Sequence, residues 1–239
     1  MVKVIAHRGA SAAARENTVE AFHLARELGA DWVELDARRS ADGQLVVHHD
    51  AHLSDGRAVL DVERAALPDH VCDLAGALDA CTGMNVNIEI KNWPGEVDFD
   101  PGESVAEAVV ALVAERREQA NVLVSCFHEP TIARVRQLDP AVATAWLFID
   151  DERPPDALAE AMAAAGHRAL HPWDGSVDER LVEAAHRHGL DVNVWTVDDP
   201  ERMAALVAVG ADGLCTNVPD VARRVVDGPQ LRPGHDATS

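Results

Sequence analysis

Short runs of β-branched and aliphatic residues alternate along the chain with longer stretches whose apolar positions recur every three or four residues. The first kind has the length of buried strands, the second the period of amphipathic helices. Residues 2–6 are predicted as a strand and 18–28 as a helix, with Ala21, Phe22, Ala25 and Leu28 on one side. Residues 32–38 read as a second strand. Residues 44–49, after the turn signal Asp42-Gly43, either extend it or form a short hairpin with it. Further strands are predicted over 86–90, 122–126, 143–149, 169–171, 191–197 and 213–216. Helices are predicted between and after them over 105–117, 130–137, 156–165, 177–188, 200–209 and 219–226, with Gly189 and Gly210 as stop signals.

Accepting the less regular stretch 67–80 as a further helix completes eight strand–helix units. Such alternation implies right-handed crossovers and a parallel sheet. Eight units favour closure into a (β/α)8 TIM barrel, an α/β fold that a chain of 239 residues suits as a single domain over residues 1–227. No G-x-G-x-x-G follows the first strand, so a dinucleotide site has no support. Two segments stand outside the rhythm. Residues 92–104 form a long acidic loop between a strand and its helix, where such barrels carry function. Residues 228–239 are a Pro/Gly/polar tail expected to be disordered.

Composition narrows the setting. Hydrophobic residues make up 47% of the chain, enough for a sizeable core, and no apolar run reaches the roughly 18 residues of a membrane span. The apolar start meets His7-Arg8 too soon for a secretory signal, so a cytoplasmic protein without stable membrane attachment is expected. A formal charge of −20 repels nucleic acid, and an anionic ligand would need a local positive site. Cys72, Cys81, Cys126 and Cys215 lack metal-site spacing and are predicted to be small buried residues without disulfides.

The polar residues fall at strand ends. His7 and Arg8 follow the first strand; Glu34 and Asp36 lie near the end of the second, with His49 and Asp50 beyond it. Glu89 and Lys91 end the third, and Trp195 lies near the end of the seventh. In a parallel barrel these ends share one mouth, where active sites are built. Two-residue spacing puts Glu34 and Asp36 on one face of their strand, and Glu89 and Lys91 on one face of theirs. Carboxylates pointing inward must be neutralised. A hard divalent cation such as Mg²⁺ or Ca²⁺ would do so with oxygen ligands from Glu34, Asp36 and Glu89. The other solution is a polar plug in which Arg8 and Lys91 pair with them. His48 and His49 face opposite ways, so only one can enter the site.

These residues form a recognisable ensemble. His7-Arg8-Gly9, Glu16-Asn17-Thr18, Gly29-Ala30-Asp31, Glu34-x-Asp36, Asp42-Gly43 and His49-Asp50 resemble the opening signature of the glycerophosphodiester phosphodiesterases. Asn87-Ile88-Glu89-Ile90-Lys91 is similar to that family's third-strand motif. Val194-Trp195-Thr196-Val197, Gly210-Ala211-Asp212-Gly213 and Thr216-Asn217-x-Pro219 are similar to its closing strands. The resemblance implies a TIM barrel that hydrolyses glycerophosphodiesters to an alcohol and sn-glycerol-3-phosphate with one divalent cation. It implies Glu34, Asp36 and Glu89 as metal ligands, His7 and His49 as acid and base, Arg8 and Lys91 as phosphate contacts, Trp195 at the mouth and Glu16 in support.

Arg15 stands where the family usually has proline. Residues 51–57 depart from its usual continuation after His-Asp, and the short segment between Asp50 and Glu89 leaves only a rudimentary insertion after the second strand. A lysophospholipase D-like activity on lipid phosphodiesters and a barrel that binds phosphodiesters without turnover are the alternatives.

Overall fold

The computed structural model describes residues 1–228, so the tail expected to be disordered lies, Gly228 apart, outside the described residues. Eight parallel strands form a closed ring: β1 (Lys3–His7), β2 (Trp32–Arg39), β4 (Asn85–Ile90), β5 (Val122–Cys126), β6 (Ala143–Phe148), β7 (Ala169–Pro172), β8 (Asp191–Val194) and β9 (Gly213–Thr216). β1 hydrogen-bonds to both β2 and β9, which removes the exposed edges of an open sheet. The remaining strand, β3 (Leu45–Val47), runs antiparallel to the end of β2, pairing Ala37 with Val47 and Arg39 with Leu45, so the hairpin is the alternative realised after Asp42-Gly43.

Helices α1 (Val19–Glu27), α2 (Leu74–Ala80), α3 (Ser104–Arg116), α4 (Glu129–Leu138), α5 (Pro155–Ala164), α6 (Glu179–Arg187), α7 (Pro200–Ala208) and α8 (Pro219–Asp227) follow the barrel strands in turn. The fold is the (β/α)8 TIM barrel expected from the sequence. Between the strands and the helices lies the main core, where Val33, Leu35, Ile88 and Ile90 are buried beside Phe22, Val109 and Leu206. Burying each such side chain contributes about 1.5–3 kcal/mol. No helix among the described residues is long and apolar enough to cross a membrane.

Two elements are shorter than their sequence pattern suggests. α2 begins at Leu74, where Asp73 caps it by accepting from the Gly76 amide at 2.7 Å. The apolar residues before it, Leu67 and Val71, instead join Val46, Leu53, Val59 and Val62 in a satellite core. The insertion after β2 is therefore short but has its own packing. β8 stops at Val194 rather than reaching residue 197, because Trp195 pairs only in an isolated bridge with Trp173.

The barrel interior changes character along its axis. Leu123, Ala145 and Ala169 form an apolar cluster with Trp32 packed against it. Two residues further along, three of these four strands turn polar, with Glu34, Ser125 and His171, while β6 keeps the apolar Leu147. Register then decides what meets at the mouth: His7 lies opposite Glu34 across β1 and β2, and Asp36 opposite Glu89 across β2 and β4.

Gly9 makes this mouth possible. Its φ is +83°, and a β-carbon there would lie 2.7 Å from the Ala21 backbone in α1. Gly9→Ala is expected to lower stability by about 2 kcal/mol or more. Urea unfolding would read this as a lower midpoint at unchanged slope, and a loss below roughly 0.5 kcal/mol would contradict the close approach.

Candidate active site

Glu34, Asp36 and Glu89 are buried, and each presents a carboxylate oxygen within 4.8 Å of the other two. Two cations stand against these three carboxylates. Lys91 Nζ lies 2.7 Å from Glu89 Oε1 and 3.6 Å from Asp36 Oδ1. Arg8 Nε lies 3.3 Å from Asp36 Oδ2, and the Arg8 backbone amide donates to Glu34 Oε2 at 2.9 Å. That last bond depends on an unusual backbone, since Arg8 has φ +58°. Asn17, at φ +57°, donates from Nδ2 to Asp36 Oδ2 at 2.7 Å. Two strained residues are thus spent on orienting carboxylates, as functional sites often do.

The charge balance is unequal among the three. Burial pushes the Asp36 carboxyl up, but Lys91 and Arg8 outweigh it and leave a net depression. Burial and the neighbouring Asp36 and Glu89 push Glu34 well above the usual carboxylate range. Glu89 is raised by burial, with Lys91 opposing. Burial would lower Lys91, yet Glu89 and Asp36 overcome it and push the ammonium up. Glu34 Oε1 and Asp36 Oδ1 are buried without a hydrogen-bond partner among the described residues. Orphaned, hard, anionic oxygens aimed at one point are the donor set a divalent cation requires, so these residues fit Mg²⁺ or Ca²⁺ better than a polar plug closed by Arg8 and Lys91 alone.

Both histidines line the same cavity as Glu34 and Glu89, together with Arg8, Lys91, Phe127, His171, Asn193 and Trp195. His7 Nδ1 lies 2.8 Å from Asn217 Oδ1. The orientation of that amide follows from its other end, where Nδ2 donates to Asp198 Oδ2 at 2.6 Å. Oδ1 must then accept, so His7 carries its proton on Nδ1 and keeps Nε2 as a bare acceptor. His49 Nδ1 lies 2.7 Å from Asp50 Oδ1, a carboxylate that supports the protonated ring. Burial lowers both imidazoles below their ordinary value. His48 turns away, with Nδ1 2.8 Å from the Asp50 carbonyl, which resolves the choice within the pair.

The other expected residues divide. Glu16 is half-exposed and reaches the site only through Arg8 Nη1, at 3.0 Å. Trp195 donates from Nε1 to the His171 carbonyl at 2.8 Å and lines the cavity. Residues 51–54 do not line it; they border an open groove with Arg15, Glu16 and His48. Sequence reasoning missed Arg38, whose guanidinium is fully buried. It donates to the His49 carbonyl from Nε at 2.9 Å and from Nη2 at 2.6 Å, and pairs with Asp98 at 2.6 Å. Its signal was present, because Arg38 continues the two-residue phase of Glu34 and Asp36. The buried thiols of Cys81 and Cys126 are both pushed up to about 12, and Cys72, more exposed, to about 11, in keeping with unreactive cysteines.

Residues 7–221 match the model of the glycerophosphoryl diester phosphodiesterase family. The chain belongs to that family. Membership makes it a phosphoric diester hydrolase. A glycerophosphodiester phosphodiesterase of Caldanaerobacter subterraneus subsp. tengcongensis is 32% identical, over 93% of this chain and 97% of its own length. Among solved structures, a phosphodiesterase of Oleispira antarctica in complex with the product sn-glycerol-3-phosphate superposes with a TM-score of 0.85 at 26% identity. It covers 95% of this chain and 97% of its own. A glycerophosphodiester phosphodiesterase of Thermotoga maritima gives a TM-score of 0.79 at 28% identity, over 95% and 99%.

For this family member the electrostatics predict opposite effects of one substitution. Glu34→Gln removes a buried charge that its neighbours repel, so it is expected to raise the melting temperature of the metal-stripped protein at pH 7. The same substitution is expected to abolish the rise in melting temperature that Mg²⁺ or Ca²⁺ causes in the wild type. Thermal melts with and without each ion check both, and an undiminished metal response in Glu34→Gln would remove Glu34 from the ligand set.

Proposed function

We propose that the protein hydrolyses glycerophosphodiesters to an alcohol and sn-glycerol-3-phosphate, using one divalent cation held by Glu34, Asp36 and Glu89. The observation that carries this reading is the meeting of that carboxylate cluster with two histidines, each tied at Nδ1, in one cavity. The solved relative with sn-glycerol-3-phosphate supports the choice of substrate class. When bound, the cation supplies Lewis-acid polarisation of the phosphoryl group and acidifies the attacking oxygen.

The chain's own groups supply the rest. Arg8 offers guanidinium N–H groups and Lys91 a point charge to the phosphate oxygens. His7, with Nε2 unprotonated, takes the proton of the attacking oxygen; burial and Arg8 hold its pKa down, and the Asn217 hydrogen bond offsets this only in part. His49 lies against the Asp50 carboxylate, which opposes without cancelling the lowering by burial, and gives its proton to the departing alkoxide. Arg38 fixes the backbone of His49, so the acid is delivered from a rigid loop. Trp195 closes one wall of the cavity.

His7→Ala and His49→Ala are each expected to reduce kcat by about 10²–10⁴-fold, measured as release of sn-glycerol-3-phosphate from glycerophosphocholine. A loss below about tenfold in both variants would contradict the acid–base pair. The kcat/KM profile is expected to be bell-shaped. A base must be neutral, and burial depresses His7, so activity falls on the acid side only below about pH 6.5. The alkaline limb belongs to His49 and is expected to vanish in His49→Ala.

A further inference from the structure

Beside the catalytic cavity lies a second recess that shares His49, Glu89, Lys91 and Phe127 with it. Its remaining walls are mainly apolar. Trp93 and Ile149, each 52% exposed, both line it and present apolar surface to it. Trp93 meets Phe127 edge-to-face at 5.7 Å, and Phe127 meets Trp195 likewise at 5.5 Å, so a chain of three rings runs from the recess into the cavity.

The loop carrying Trp93 is the long acidic segment after β4, and it is firmly held. Arg38 pairs with Glu96 at 2.9 Å and Asp98 at 2.6 Å, while Asn92 Nδ2 donates to the Asp100 carbonyl at 3.0 Å. The catalytic cavity, in contrast, is lined deep in the barrel by Asn87, His171 and Asn193, groups suited to hydroxyls.

We propose that this recess is the subsite for the departing alcohol, and that it is built for a small N-methylated ammonium alcohol of the choline type. The assignment rests on the hydrolase reading above. A phosphodiester carries two substituents, and the two connected spaces differ in the way those substituents would. The polar barrel side takes the glycerol, and the aromatic side the other alcohol. His49 lines both spaces whereas His7 lines only the first, which matches their roles. The attacking oxygen forms a new bond to phosphorus and loses its proton to His7. The bond from phosphorus to the alcohol oxygen breaks with its electron pair, and that oxygen takes a proton from His49. The overall change is addition of water across that bond.

A quaternary ammonium is weakly hydrated and is attracted to aromatic faces. The charged groups at the edge are already paired, Lys91 with Glu89 and Asp36 and Glu96 with Arg38, so the aromatic walls carry the recognition. A polyol there would leave hydroxyls against apolar walls.

The test compares metal-loaded wild type with Trp93→Ala, Trp93→Phe and Ile149→Ala. The substrates are glycerophosphocholine, glycerophosphoglycerol, glycerophosphoinositol and lysophosphatidylcholine. The wild type is expected to prefer glycerophosphocholine over both polyol diesters by about tenfold or more in kcat/KM. That ratio is expected to collapse about tenfold in Trp93→Ala, chiefly through KM, to fall in Ile149→Ala, and to be kept by Trp93→Phe. Lysophosphatidylcholine, whose acyl chain would have to enter the polar barrel side, is expected to be poorer by tenfold or more.

An unaltered ratio in Trp93→Ala, or a preference for a polyol or the lysolipid, would overturn the subsite and leave the hydrolase reading standing. A wild type that turns over none of the four would overturn the hydrolase reading instead. Saturation-transfer NMR with choline chloride judges the recess independently of turnover. Contact with the wild type that is lost in Trp93→Ala supports the subsite, and no contact overturns it.

Discussion

Three carboxylates buried within 4.8 Å of one another are the constraint from which the rest of the mouth follows. Like charges at that separation in a partly dry site are costly, and only opposite charge in the same place can hold them there. Arg8 and Lys91 meet part of this demand, chiefly for Asp36 and Glu89. Among the described residues Glu34 receives a single backbone amide and keeps an oxygen without a hydrogen-bond partner. The imbalance makes the site acquisitive for a divalent cation, and it sits on rigid strands rather than on loops, as precise ligand geometry requires.

Supporting interactions radiate from this cluster. The left-handed backbone at Arg8 and Asn17 aims one amide and one side chain at the carboxylates, and Gly9 lets α1 approach closely enough for both. Arg38, one step further along β2, ties the His49 carbonyl to the acidic loop after β4. Asp198 and Asn217 set the His7 tautomer from the β8–β9 side, next to β1. Each histidine is held at Nδ1, His7 by Asn217 and His49 by Asp50.

Much of this was legible in the sequence because the relevant information is local. The strand and helix periods gave the barrel, and two-residue spacing put Glu34 with Asp36 and Glu89 with Lys91 on shared faces. What stayed hidden depends on closure. His7 and Asn217 are 210 positions apart and meet only because β1 pairs with β9, so no local pattern announces their hydrogen bond. Leu67 and Val71 lie in the irregular stretch accepted as a helix to complete the eighth unit, yet they pack into the satellite core beneath the insertion. The reach of Trp195 into the cavity survives although β8 ends before it, because its indole is held by the His171 carbonyl rather than by strand pairing.

The central claim is that the inward carboxylates become a phosphodiesterase site by holding a divalent cation. The most direct measurement incubates metal-stripped protein with glycerophosphocholine, adds back Mg²⁺ or Ca²⁺, and quantifies sn-glycerol-3-phosphate, with Glu34→Ala in parallel. Release is expected to depend on the added ion in the wild type and to be absent in Glu34→Ala. Equal release without the ion, or full metal-dependent activity in Glu34→Ala, would contradict the claim.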